Sequence, residues 1–267
     1  MKNNLHKISL STRKKIISSL VPRESHHIGC SLSIVDILVY LYYEEMKIYP
    51  NDPKNKDRDI FILSKGHGAL ALYVTLHNKK FFGSKLLSTY DKNGGILPEH
   101  ASTVAPGVEL STGSLGHGLP VGLGFATSLM NEKTDRRVFV LMSDGEFNEG
   151  SNWEAIMYAG HHKLKNLIVI VDLNKFQGYG TTEKIMDLNP LNKKLDDFNW
   201  ETYIVDGHDF KELESVFLQI NKSTQNKPKI IFANTIKGKG IPLFEGKFES
   251  HYKSLDEQTI KEVLFNL

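Results

Sequence analysis

The chain lacks the features that mark several classes of protein. It holds one cysteine, Cys30, so an internal disulfide framework is excluded and a reducing compartment is expected. The formal net charge is only +2, with lysines and arginines dispersed among acidic residues, which gives no reason to expect nucleic acid or an anionic membrane as partner. No segment approaches the ~20 consecutive apolar residues of a membrane span. The start, MKNNLHKISLSTRKKIISSL, is basic but has no sustained apolar core and no small-residue cleavage site, so it reads as an amphipathic helix and a cytoplasmic location is expected. What is present, 40% hydrophobic and 24% charged residues over 267 positions, is the composition of a globular chain able to bury a substantial core.

The most informative stretch runs from Arg137 to Thr182. Two apolar runs, Val138 to Met142 and Leu167 to Val171, read as strands, and each stops at polar residues: Ser143-Asp144-Gly145 after the first, Asp172-Leu173-Asn174 after the second. A helix-length segment, Glu149 to Leu164, joins them, which makes the strands parallel and brings Asp144 and Asn174 out at one sheet edge. Open α/β sheets bind ligands at that edge. One carboxylate and one amide oxygen form a sparse set of hard ligands, suited to Mg²⁺, which completes its octahedron with phosphate and water. A magnesium-bridged diphosphate site is the expectation.

Around this unit the chain alternates strands and helices. The loop VPRESHHIGCSLS places His26 and His27 just ahead of an apolar helix, Ile34 to Tyr43, which Ser33 and Asp36 would open as a capping box; exposed loop histidines are the plain alternative. DIFILSKGHGALALYVTL reads as strand, turn and helix, with His67 at the strand's carboxyl edge. A long loop, KNGGILPEHASTVAPGVELSTGSLGHGLPVGLGFA, is of a length that is uncommon unless functional. It ends in Gly113, Gly116 and Gly118 before the helix Leu119 to Met130, where glycines serve either an approaching anion or plain packing. It is not a P-loop, since no Gly-Lys-Ser/Thr follows. Gln177 to Thr182 reads as a Gly-rich loop and Glu183 to Asp197 as a polar connection. Thr202 to Val205 and Lys229 to Ala233 complete the strands, Asp209 with Glu212 resembles a capping box, a loop carries His251, and Asp256 to Phe265 is a closing helix. With no repeat, low-complexity tract or linker, residues 1–267 are expected to form one α/β domain, a mostly parallel sheet with helices on both faces.

These motifs together resemble the amino-terminal, diphosphate-binding part of the transketolases. SDGEFNEG, followed by Asn174 thirty positions after its Asp, is similar to the thiamine-diphosphate motif usually written Gly-Asp-Gly and ending in Asn. SHHIGCSLS and LSKGHGALALY look like the family's two histidine turns, PGVELSTGSLGHGL like its diphosphate-contacting glycine loop, and WEAIMYAGHHKLKNLIVIVDLNK matches its central stretch. The resemblance implies thiamine diphosphate and Mg²⁺ as cofactors, in a thiamin diphosphate-binding fold. Asp144 and Asn174 would hold the metal by side-chain oxygens and Phe176 by its carbonyl. Gly116, His117, Gly118 and Gly145 would contact the diphosphate region, and Glu149 would lie at the subunit contact near the cofactor unless it only favours a helix start. His27, His67, His100 and His251 resemble the histidines around the reacting carbons, with His67 and His251 also near the cofactor.

The sequence departs from the family pattern at Ser143 and His26, each in place of Gly, at Cys30, also in place of Gly, and at Glu99-His100-Ala101-Ser102 where Gly-His-Pro-Glu is usual. Those near the histidines put the usual sugar specificity in doubt. The family's second domain, which holds the aminopyrimidine and supplies an activating glutamate, is expected to lie outside residues 1–267, on another polypeptide. The resemblance therefore implies one half of a split transketolase, working with a separate carboxyl-terminal subunit in a two-plus-two assembly and moving a two-carbon ketol unit from a ketose or ketose phosphate to an aldose. Two other readings stand beside it: a component of a thiamine-dependent 2-oxo acid decarboxylase or dehydrogenase, and a non-catalytic cofactor-binding scaffold.

Overall fold

The computed structural model describes residues 4–20, 27–252 and 255–267. Pro22 and His26 of the expected first loop lie outside the described residues. Seven strands form: β1 Ile60–Leu63, β2 Val138–Ser143, β3 Leu167–Leu173, β4 Phe176–Gln177, β5 Gly180–Thr181, β6 Glu201–Asp206 and β7 Lys229–Asn234. Five of them make one sheet in the order β1-β2-β3-β7-β6, every neighbouring pair parallel, while β4 and β5 are a short antiparallel hairpin.

The continuous apolar runs of β1, β2, β3 and β7 follow from burial on both faces. Phe139, Leu141, Ile168, Ile170 and Ile231 point into one core with the helices Leu5–Ser18, Val35–Tyr40, Ala69–Asn78 and Phe210–Lys222. The alternate residues, Val138, Val140, Val169, Val171 and Phe232, point into a second core with the helices Gly118–Asn131 and Gly150–His161. Ser143 is paired in register with Asp172, and Asp172 with Ala233, so the carboxyl ends of β2, β3 and β7 are level. Asp144 and Asn174 leave the sheet at one edge, as the strand–helix–strand reading expects.

Three local expectations are corrected. Ser33 caps no helix: the helix starts at Ile28 after His27, Ser33 closes it, and its hydroxyl donates to Asp172 Oδ2 at 2.8 Å. Asp36 is instead held by Arg13 and His208 from two other elements. Gln177 to Thr182 is folded as the β4–β5 hairpin, and the polar connection after it contains the helices Thr182–Met186 and Leu191–Asp197, the latter seating Leu191 and Leu195 in the second core. At the other expected capping box, Asp209 accepts from the Lys211 amide, but Glu212 reaches back to the Asp206 amide.

Gly160 shows how closely the second core is assembled. A Cβ there would lie 1.9 Å from the carbonyl oxygen of Phe198, while Asn199 Nδ2 donates to the Gly160 carbonyl at 3.2 Å. Backbone cannot yield as a flexible side-chain tip can, so Gly160→Ala should cost about 2 kcal/mol. Urea unfolding checks this: an unchanged midpoint would contradict the packing described.

Candidate active site

Asp144 opens a 3-10 turn after β2 and is nearly fully buried. Its Oδ1 accepts from the Gly145 amide at 2.8 Å and its Oδ2 from the Lys175 amide at 2.6 Å. The next amide, Phe176, donates to Asn174 Oδ1 at 3.0 Å. Two consecutive N–H groups thus gather the carboxylate and the amide oxygen at one turn, where Lys175 adopts a left-handed φ of 68°. Burial, and secondarily the Asp172 charge, raise Asp144 to about 7, since among the described residues its carboxylate has no ion-pair partner. A buried carboxylate raised in this way, beside an oxygen-outward amide, fits a divalent cation. Asp144 also faces a small adjoining pocket shared with Asn148 and Gln177.

Behind this turn lies Asp172, fully buried. Its Oδ2 forms an ion pair with Lys65 and accepts from Ser33 Oγ at 2.8 Å and Asn174 Nδ2 at 2.8 Å, and its Oδ1 accepts from Thr235 Oγ1. A second buried carboxylate, Glu146, gathers the glycine loop: it accepts from Ser64 Oγ at 2.5 Å, from the Ser143 amide at 2.8 Å and from the Gly116 amide at 3.3 Å. Gly116 has φ +84°, and a Cβ on it would meet Glu149 Cβ at 2.5 Å, so only glycine lets the loop lie against Glu149.

The four histidines converge. The ring of His27 lies 5.3 Å from that of His67, 5.6 Å from His100 and 4.8 Å from His251. They line a cleft of about 320 Å³ together with Lys65, Gly145, Glu149, Asn174, Phe176, Lys237 and Cys30. Glu99 Oε1 lies 3.2 Å from His27 Nδ1, and Lys237 Nζ donates to His251 Nδ1 at 2.9 Å, with Cys30 Sγ 3.4 Å from the same nitrogen. Burial alone would raise the Cys30 thiol, but Lys237, His67 and His251 beside it hold it well below its usual range. Burial lowers His67 to about 4 and also lowers His100, which has the His27 charge beside it.

The structure therefore brings Asn174, Phe176, Gly145, Glu149 and all four histidines to one cleft, while Asp144 lines the small adjoining pocket. Glu149 forms no side-chain cap on the helix that follows it. His117 stands apart: it is exposed, ahead of the helix Gly118–Asn131, and does not line the cleft. Gly118 packs on Ser64, whose side chain occupies the space a Cβ would take. Lys65, Asp172, Glu146, Glu99 and Lys237 were missed as site residues. A charged residue closing an apolar strand, as Lys65 and Asp172 do, was the signal available for two of them.

This sheet and its carboxyl-edge cleft are the fold of transketolase cofactor domains: the chain superposes on the crystal structure of transketolase from Campylobacter jejuni with a TM-score of 0.92 and 29% identity, covering 100% of this chain and 43% of that one. It thus spans about two fifths of the length of that solved relative. Residues 10–267 match the family model described as transketolase, thiamine diphosphate binding domain, and the chain belongs to that family. It is 38% identical over 244 residues to one of the subunits of the apulose-4-phosphate transketolase of Phocaeicola vulgatus, covering 91% of this chain and 86% of the relative. It is 41% identical over 244 residues to a 6-deoxy-6-sulfo-D-fructose transketolase subunit of a Clostridium species, covering 90% and 88%.

His67 sets a measurable pH dependence. An unfolded histidine protonates near ~6.5, whereas His67 in the folded chain stays neutral until about 4. The folded state binds fewer protons between these values, so stability falls through this residue as pH drops from ~6.5 to about 4. His67→Gln should therefore gain stability relative to the parent across that window in urea unfolding; a pH-independent difference would exclude the buried neutral imidazole.

Proposed function

We propose that this chain, over residues 1–267, is the diphosphate-binding subunit of a two-chain transketolase that transfers a two-carbon ketol unit from a ketose to an aldose. The observation that carries this reading is the meeting of His27, His67, His100 and His251 in the same cleft as Asn174 and Phe176. A crowd of imidazoles suits a polyhydroxylated donor better than a 2-oxo acid, whose carbonyl and carboxylate offer few hydroxyl protons to hold. Both bacterial relatives described above carry an anionic sugar in their names, a phosphate in one and a sulfo sugar in the other. That supports a donor with an anionic terminus.

Asp144, Asn174 and the Phe176 carbonyl would hold Mg²⁺, and the glycines at 116 and 145 would lie near the diphosphate of thiamine diphosphate. The cofactor, when bound, supplies the carbon nucleophile that no side chain offers. The chain's own part is to orient substrate and move protons. Glu99 holds the Nδ1 proton of His27, which leaves Nε2 as the nitrogen that takes a proton from a donor hydroxyl. Lys237 donates to His251 Nδ1, so His251 carries its own proton on Nε2 and can donate it to a sugar oxygen. His67, neutral above about pH 4, offers a hydrogen bond without bringing a second positive charge.

The Phocaeicola relative is named as one subunit of its transketolase, which supports a separate partner here. That partner would supply the aminopyrimidine pocket and its activating glutamate, in an assembly of two copies of each chain. No helix among the described residues is long and apolar enough to cross a membrane, and a cytoplasmic location is part of this proposal.

Two outcomes test it. In the assembled complex, Asp144→Ala and Asn174→Ala should each weaken Mg²⁺-dependent binding of thiamine diphosphate by at least ~10-fold, measured by calorimetry; unchanged binding would remove both residues from the metal. Ketol transfer should be absent from the isolated chain and arise on mixing with a transketolase-like chain of carboxyl-terminal type. Turnover of ketose and aldose phosphates by this chain alone would overturn the two-chain assembly.

A further inference from the structure

Asp172 and Lys65 have been given no part in the proposed reaction, yet they tie together every segment that forms the cleft. Lys65 lies two residues past β1 and two before His67, and its ammonium pairs with Asp172 Oδ2 while donating to the Cys30 carbonyl at 3.2 Å, three residues after His27. Ser33, from the helix that begins after His27, donates to the same oxygen. Thr235, after β7 and two residues before Lys237, donates to Oδ1. The remaining donor is Asn174 Nδ2, at 2.8 Å.

That last bond has a directional consequence. An amide presents an oxygen on one side and a donor on the other, and a half-turn about its terminal bond exchanges them. With Nδ2 held by an ionised carboxylate that can only accept, Oδ1 must face the opposite way, toward the turn where the Phe176 amide meets it. Lys65 lies against that carboxylate as a fully buried ion pair, so each charge has its counter-charge in place.

We infer that the buried Lys65–Asp172 pair is the positioning device of the site: Asp172 locks the Asn174 amide oxygen-outward toward a cation, and Lys65 couples that lock to the turn carrying His67. The inference rests on the reading of Asp144 and Asn174 as Mg²⁺ ligands. It explains why an ion pair is kept in the interior where two apolar residues would pack: an apolar pair could not tell the two faces of an amide apart.

The test is a cycle of variants in the assembled complex, read by calorimetry as Mg²⁺ affinity in the presence of thiamine diphosphate. Removing both charges together, Lys65→Met with Asp172→Asn, leaves no lone buried charge and frees the amide to turn; Mg²⁺ affinity should fall ~10- to 100-fold. Asn174→Asp should act with opposite sign in the two backgrounds. In the parent it sets a second carboxylate against Asp172 and weakens Mg²⁺ binding. In the charge-free background both its faces are oxygen, and it restores affinity. A merely structural role for the pair would give Asn174→Asp the same effect in both, and that result, or undiminished affinity in the double variant, overturns the inference. If the double variant does not fold, Thr235→Val, which frees the other carboxylate oxygen and leaves the ion pair, must still lower Mg²⁺ affinity several-fold, and unchanged affinity overturns the inference equally. Asn174→Ala separates the two levels: if it too leaves Mg²⁺ binding unchanged, the ligand assignment fails, whereas loss there with no effect of the pair sinks only the positioning role.

Discussion

A carboxylate at the end of a central strand, sealed from water on both faces of the sheet, must be neutralised where it stands. Asp172 is in that position, and Lys65, from the end of a strand two places away, is the group that neutralises it. Breaking such a pair by removing one member costs ~3–5 kcal/mol because a lone charge is left inside. The two strand ends are therefore held in one relative position. The 28–33 helix, the loop after β7 and the Asn174 amide all dock on the same few atoms.

The same edge carries a second buried carboxylate, Glu146, with a different kind of compensation. It accepts from two hydroxyls and two amides and has no salt bridge among the described residues, and burial raises it despite the bonds from Ser64, Ser143 and Gly116. Asp172 is held low by a neighbouring positive charge, Glu146 is raised by burial against neutral donors, and Asp144 is raised by burial with the Asp172 charge close by. Three acidic groups within one loop-and-strand region thus differ through their partners alone. That difference leaves the Asp144 carboxylate, among the described residues, with backbone donors only.

Much of this was legible in the sequence. The unbroken apolar runs of β2 and β3 implied a parallel sheet, and their polar ends put Asp144 and Asn174 at one edge. His27, His67, His100 and His251 were readable only through the motif resemblance, because nothing in spacing says that residues so far apart share a cleft. What escaped was tertiary. Ser33 looked like a helix cap because a Ser three residues before an acid usually is one, but a buried carboxylate offered its hydroxyl a stronger partner. Leu191–Asp197 hid in a polar segment because two leucines are enough to anchor a short helix to a core already formed. Lys237 gave no signal at all, since a lysine in a Gly-rich loop is ordinarily solvated and this one is buried against His251.

The contact between Cys30 and His251 joins residues 221 positions apart, and the His27 amide donates to the His251 carbonyl at 2.9 Å. The histidine cleft is thus closed by segments that flank the sheet in the chain rather than by the strands between them. Loop closure over such a separation must be completed before the contacts that reward it exist. A ribosome that has released only the sheet strands has made the turn that joins Asp144 to Asn174 but not the histidine cluster. The site is consequently a late product of synthesis, and no ligand that needs all four imidazoles can guide the nascent chain toward its fold.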